Sequence, residues 1–407
     1  MIITSLLDND LYSFTQQQAI LHHFPDVNVE YHFKCRNDKD LTPFIDEIKK
    51  EVGHLCSLRC TRSELVYLNS DLLSFLKRNY VDFLVNFQLN PDHVDIYIDD
   101  DKKLAIKIKG NWFQTVLFEV PILAIVNEIY FTHHSKGTWK YIDIGQERLQ
   151  EKIRLVRRYE EIQNATSRMQ TGYAPRFKFA DFGTRRRFGK EWHKAVVGQC
   201  KHEIPDNFIG TSNVALAKEY NLKPIGTMSH QWIMAGQGLD HVKLANSQKH
   251  MLDVWAREYR GDLGIALSDT VGFDAFLRDF DLYFAKLYDG CRHDSGDPFQ
   301  WCEKLIAHYK KLKINPMTKS AVFSDGLTFP LALELCEKFY GKINTSFGIG
   351  TNLTNDCGLD PLQIVIKVVR VNGQPVAKIS DSKGKGMCLD MDFLKYLASV
   401  YKIKDEA

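Results

Sequence analysis

A chain of 407 residues, 44% hydrophobic and 26% charged, can bury a large core, enough for two domains or for one barrel with additions. Its net charge of +2 gives no electrostatic case for nucleic acid or a membrane surface as a partner. The start, Met-Ile-Ile-Thr-Ser-Leu-Leu-Asp8, lacks a basic n-region, and the apolar run 116–126 is broken by Glu119 and Pro121. That run falls short of the roughly 20 residues of a bilayer span, so the expectation is a cytoplasmic protein with no membrane and no nucleic-acid partner.

Nine cysteines at irregular spacing read as reduced thiols. Cys56 and Cys60 have no second pair near them in sequence, which gives little support to a zinc site. Cys291 has no base beside it and is not nominated as a nucleophile.

In chain order, residues 4–24 read as an approach loop and an amphipathic helix. The alternation of Val29, Tyr31 and Phe33 predicts a half-buried strand over 27–35. Helical patterns cover 41–55 and 63–87. Strands at 94–98 and 104–108 flank the polar Asp99-Asp-Asp-Lys-Lys103, a hairpin. Helical stretches follow at 116–130 and 144–169.

From there short apolar strands and amphipathic helices alternate. Strands are expected at 177–180, 208–210, 222–226, 263–267, 288–292, 321–323 and 344–348. Helices are expected at 190–200, 213–220, 232–255, 273–287, 298–312 and 329–339. Repeated β-then-α units predict a parallel sheet, and so many in succession favour an α/β barrel over an open sheet. The tail, 363–371 and 375–379 around Asn372-Gly373, reads as a hairpin that returns to the first unit. The expected division is an N-terminal α+β domain over 1–120, completed by 360–407, and an irregular (β/α) barrel over 121–359.

Barrel sites form at the C-terminal ends of strands, and the polar loops of this chain fall there. Gly348-Ile-Gly350 and Ser324-Asp-Gly326 end adjacent strands, as phosphate loops do. Among Arg185, Arg186 and Arg187, guanidinium forks suit phosphate or carboxylate, and Arg185 is nearest its strand. Asp297 is placed to cap a helix beginning at Pro298, whereas Asp294 is free to meet sugar hydroxyls or Mg²⁺ through water. His230, in Gly226-Thr-Met-Ser-His-Gln-Trp232, leaves two readings open: a core or cap histidine, or an acid, base or nucleophile toward phosphorus. Asp269 closes another strand and is positioned to orient the imidazole.

Taken together, Leu7-Asp-Asn-Asp-Leu-Tyr12, Tyr31-His-Phe-Lys-Cys-Arg36, Asp181-Phe-Gly-Thr-Arg185, Gly210-Thr-Ser-Asn213, the His230 segment, Arg292-His-Asp-Ser-Gly-Asp-Pro298, Ser324-Asp-Gly326, Phe347-Gly-Ile-Gly350 and Pro375-Val-Ala-Lys-Ile-Ser380 resemble the bacterial-type nicotinate phosphoribosyltransferases nearly end to end. The resemblance implies transfer of phosphoribose from 5-phosphoribosyl 1-diphosphate to nicotinate, giving nicotinate mononucleotide and diphosphate. ATP hydrolysis is coupled to it, with Mg²⁺, through a phosphorylated histidine. It also implies a homodimer with shared active sites.

Carried onto this chain, the resemblance makes His230 the phosphohistidine and Asp269 its orienting carboxylate, with Asp294 at the ribose. Phe182 and, from the partner subunit, Tyr12 would stack on the pyridine ring. Arg185 and Arg292 would bind anionic groups. Gly326, Gly348 and Gly350 would hold the 5′-phosphate, and Asp10, Ser324 and Thr351 join the substrate contacts. Lys34, Arg36 and Lys378 would face diphosphate or ATP phosphates. Metal ligands are left unassigned.

Relatives acting on nicotinamide carry an additional carboxylate at the amide, whereas arginine-rich surroundings favour nicotinate. Relatives acting on quinolinate are much shorter and need no such histidine. Nicotinamide as the base, or a non-catalytic nucleotide-binding regulator, are the alternative functions.

Overall fold

The computed structural model describes residues 1–136, 138–170, 176–382 and 386–403, with the backbone alone for 166–170. Its strands are β1 (Asn28–Cys35), β2 (Val94–Ile98), β3 (Leu104–Asn111), β4 (Phe179–Asp181), β5 (Phe208–Thr211), β6 (Arg260–Leu263), β7 (Ile265–Leu267), β8 (Gly290–His293), β9 (Ser320–Phe323), β10 (Asn344–Ile349), β11 (Ile364–Val371) and β12 (Gln374–Pro375).

All but β6 fall into two sheets. The first is antiparallel, in the order β12-β11-β1-β3-β2. Its strands come from both ends of the chain. The apolar alternation of β1 buries Val29 and Tyr31, and Val29 pairs with Val371. The tail turns at Asn372 and Gly373, with φ of 49° and 78°. Two successive positive φ values are what a two-residue hairpin turn of this hand needs, and Asn-Gly tolerates them. The hairpin is shorter than its sequence suggests, because β12 has two residues.

The second sheet is parallel, in the order β5-β4-β10-β9-β8-β7. Parallel strands buried on both faces require large apolar side chains. Phe177, Phe179, Phe323 and Phe347 supply them, and Phe323 stacks on Phe347 at 5.5 Å between ring centroids. Each such ring is worth about 1.5–3 kcal/mol on burial. Because all six strands run the same way, every strand exit opens on one end of the sheet.

Several expectations fail locally. Residues 222–226 form no strand: Pro224 has no N–H to donate, and a single bridge joins it to Thr211. The segment still spans the gap between the outer strands. Ile225 N donates to Thr211 O (2.9 Å), and Thr227 Oγ1 donates to Ile265 O (3.1 Å).

The expected helix 232–255 is two helices, His230–Ala235 and Ser247–Tyr259, parted where Gly236 and Gly238 weaken helical continuity. Likewise 273–287 divides into Phe273–Asp279 and Leu282–Leu287, the second capped by Asp281. The stretch 63–87 divides into Arg62–Leu68, which carries a capping box between Thr61 and Glu64, and Arg78–Leu84.

The apolar run near residue 120 extends further than its interruptions suggest. Among the described residues, Trp112–Ser135 is one helical run long and apolar enough to cross a membrane, and 89% of its most apolar stretch is buried inside the protein. It is the central core helix of the fold, with Glu119 and Pro121 in the first turn of its longer segment, Glu119–Ser135.

The N-terminal segment is tied firmly to the parallel sheet. Buried Arg187 donates to both oxygens of buried Asp8, at 2.7 and 2.9 Å, and Asn213 Nδ2 donates to the same carboxylate at 2.8 Å. Backbone bonds from Leu11 N to Ser212 O and from Val214 N to Asn9 O continue the contact. Helix Leu11–His23 therefore starts at the strand exits, where the polar loops converge.

Candidate active site

His230 opens helix His230–Ala235. Its Nε2 lies 2.9 Å from Asp269 Oδ1 and 3.5 Å from Asp294 Oδ2. Asp269 stands two residues beyond β7, and Asp294 directly after β8. The other oxygen of Asp269 accepts from Lys378 Nζ (2.7 Å) and Ser295 Oγ (2.6 Å). Ser324 Oγ, after β9, is 2.9 Å from Asp294 Oδ1.

This network sets the state of the imidazole. A carboxylate can only accept from Nε2, so the proton sits there and Nδ1 carries the lone pair. Burial first, then the Lys378 ammonium, push His230 down to about 4 against the pull of Asp269. At neutral pH it is therefore uncharged. Burial works against ionisation of Asp269, but His230 and Lys378 overcome it and leave an anion.

Basic groups surround this core. Burial, then Arg185 and Arg36, push Arg186 down to about 10. Burial, then Lys378 and Arg36, lower Lys367 to about 7. The Nε of Arg292 is buried with no hydrogen-bond partner among the described residues, a donor without an acceptor. Such a concentration of cations, mutually unfavourable in the bare protein, is chemically suited to a polyanion.

Another strand exit carries an aromatic ring. Phe182 follows β4, and its N–H donates to Ile349 O at 2.9 Å. Gly348 lies inside β10, paired with Ala180. A Cβ there would sit 2.3 Å from the Phe182 ring. The missing side chain of Gly348 makes room for Phe182. Gly350 lies one residue past the strand, and a Cβ there would approach Phe182 O at 3.1 Å. Gly326 has φ +57° with open space around it, a turn position that favours glycine. Thr351 begins a single helical turn next to Gly350.

Tyr12 stands in the first turn of helix Leu11–His23. Its buried hydroxyl lies within electrostatic reach of Glu119, Arg185, Asp10 and Arg292. The docking of residues 8–11 against 211–214 brings it there. Asp10 accepts from Ser212 Oγ at 2.7 Å, and burial raises its carboxyl against the opposing pull of Arg185.

Arg185 Nη1 is 3.2 Å from Glu119 Oε1, so the arginine is already partly neutralised. Lys34 is not drawn into the His230 group. It is exposed near Asp38 and lines a separate cavity of about 800 Å³ with Arg36, Asp101 and Lys103. Arg36 lies at the boundary, within reach of Arg186 and Lys367.

Sequence reasoning missed Glu119, Ser295, Lys367 and Gln231 as members of this site. Ser295 and Gln231 adjoin residues it had singled out, which was an available signal. Glu119 interrupts an apolar helix, and that too could have marked it. Lys367 sits on a strand whose side-chain direction only the fold reveals.

Two family models cover the chain. The N-terminal domain of the nicotinate phosphoribosyltransferase (NAPRTase) family matches residues 7–127, and the NAPRTase family model matches 177–405. The chain is similar to a nicotinate phosphoribosyltransferase of Burkholderia mallei, 52% identical over 99% of this chain and 98% of that one. Its fold is similar to crystal structures of nicotinate phosphoribosyltransferases from Vibrio cholerae (TM-score 0.92, 40% identity, covering 100% of this chain and 95% of that one) and Porphyromonas gingivalis (TM-score 0.89, 33% identity, covering 99% and 100%). With matches of this identity running end to end, the chain belongs to the nicotinate phosphoribosyltransferase family.

Proposed function

We propose that this chain joins nicotinate to 5-phosphoribosyl 1-diphosphate, releasing diphosphate and forming nicotinate mononucleotide for NAD biosynthesis, and that it couples this to ATP through phosphorylation of His230. The observation that carries the ATP step is the neutral, Asp269-oriented imidazole within a ring of cations. Nδ1 attacks the γ-phosphorus, the bond to ADP breaks, and Nε2 keeps its proton. Asp269 then balances the positive charge that the ring acquires.

In the transfer step the ring nitrogen of nicotinate attacks C1′ as diphosphate leaves. The base needs no deprotonation, so the protein's work is orientation and stabilisation of charge. Phe182 and Tyr12 flank the ring, and among the described residues they make no ring contact with each other. Arg185 and Arg292 are the groups for the nicotinate carboxylate. Arg36, Arg186, Lys367 and Lys378 serve phosphates, Ser324, Gly326, Gly350 and Thr351 the 5′-phosphate end, and Asp294 the ribose.

His230, Asp269 and Asp294 place ligand atoms within 4.8 Å of one another. Asp269 is taken up by Lys378 and Ser295, so Asp294 is the carboxylate suited to Mg²⁺. When bound, the ion would neutralise the leaving diphosphate.

We read the parallel sheet, with 222–228 as its seventh stave, as an irregular barrel over 121–359. The α+β domain then comprises 1–120 and 360–407. A homodimer with shared active sites, Tyr12 reaching the partner's site, remains part of the proposal. The nine free thiols suit the cytoplasm.

Charge has to separate nicotinate from nicotinamide, which have nearly the same shape. A buried charge-assisted hydrogen bond is worth roughly 1.5–3 kcal/mol. The expected kcat/KM for nicotinate therefore exceeds that for nicotinamide by at least about tenfold. Equal values for the two bases would overturn the assignment.

Gly348→Ala tests the aromatic slot. The added methyl displaces Phe182, so KM for nicotinate should rise about tenfold while KM for the ribosyl donor changes less. A larger change for the donor would instead place Gly348 at the phosphate.

A further inference from the structure

Glu119 is buried, yet it makes two directed contacts. Oε1 pairs with Arg185 Nη1 at 3.2 Å, and Oε2 accepts from Gln231 Nε2 at 3.1 Å. Gln231 is the neighbour of His230, and it is itself fixed. Its Oε1 accepts from Tyr31 Oη (2.6 Å) and Trp112 Nε1 (3.2 Å), both buried. Glu119 therefore hangs from a rigid frame: the first turn of the central helix on its own backbone, β1 through Tyr31, and the His230 helix through Gln231. Arg185, by contrast, has a half-exposed side chain, and among the described residues Glu119 is its one ion-pair partner.

A long side chain with five N–H donors does not hold one orientation at a pocket wall unless something fixes it. We infer that Glu119 is a positioning residue for nicotinate: it aims the Arg185 guanidinium at the base and so sets affinity for the carboxylate. The inference rests on the reading of Arg185 as a carboxylate-binding group. The geometry also makes the charge of Glu119 essential. A glutamine in its place can still accept from Gln231, but an amide N–H turned toward Arg185 meets another donor and pushes the guanidinium away.

The test measures KM for nicotinate, KM for 5-phosphoribosyl 1-diphosphate and kcat in Glu119→Gln, Arg185→Gln and the double variant. Glu119→Gln is expected to raise KM for nicotinate about tenfold or more, with the donor KM and kcat within about twofold. A merely structural loss would move all three quantities. In the Arg185→Gln background the second substitution should add nothing, since Glu119 acts through Arg185.

If Arg185→Gln alone leaves KM for nicotinate unchanged, the reading of Arg185 fails. If it raises KM but Glu119→Gln does not, or if the two effects simply add, the role of Glu119 fails while that of Arg185 stands. Should Glu119→Gln not fold, Glu119→Asp carries the same comparison. Its shorter arm cannot reach Arg185 and Gln231 together, and an unchanged KM for nicotinate in that variant would equally overturn the inference.

Discussion

His230→Ala is expected to abolish phosphorylation of the chain by ATP and to cut nicotinate-stimulated ATP hydrolysis by a factor on the order of 10³ or more. Ribosyl transfer without ATP should persist, because the imidazole acts on phosphorus and not on C1′. The size of the effect follows from the absence of a substitute. Among the described residues near His230, Lys378 is held on Asp269, and the carboxylates are repelled by a γ-phosphate. Intact mass after incubation with ATP reads the adduct directly. A variant that still gained a phosphoryl group would show that the acceptor lies elsewhere, and a wild type that never gains one during turnover would remove the role altogether.

The largest expected loss of stability comes from Asp8→Ala. It leaves Arg187, which is fully buried, facing Glu128 at 3.8 Å as its remaining partner. Breaking a buried ion pair from one side costs about 3–5 kcal/mol, which urea denaturation at pH 7 measures. The pH dependence has a definite sign. Burial opposes ionisation of Asp8, but Arg187 and Asn213 lower its carboxyl below the ordinary value. The stabilisation is thus present above the unfolded carboxylate range and lost as pH falls through the folded value. The gap between wild type and variant should narrow below about pH 4. A gap that stayed constant into acid would mean that packing, and not charge, is what Asp8 contributes.

Much of the architecture was legible in the residues. The alternation of β1, the Asn-Gly turn of the tail and the succession of apolar strands identify both sheets and assign the tail to the first. Periodicity did not reveal where a pattern breaks. Gly236 and Gly238 divide a run that reads as one helix, and Pro224 removes a strand whose neighbours look sound. In the site, the glycines of 348–350 looked alike in sequence. Only the fold shows that Gly348 yields its space to a phenyl ring. The partners of Arg185 were illegible for a related reason. Glu119 lies 66 residues away on the central helix, and no spacing rule relates a helix start to a strand exit.

The segment 222–228 leads directly into His230, yet it has few of the backbone bonds that hold a strand in place. What fastens it are separate bonds: Leu222 N to Ala217 O, Ile225 N to Thr211 O, Thr15 Oγ1 to Thr227 O and Thr227 Oγ1 to Ile265 O. The chain just ahead of His230, the residue proposed to accept the phosphoryl group, is thus pinned at points and not along a ladder.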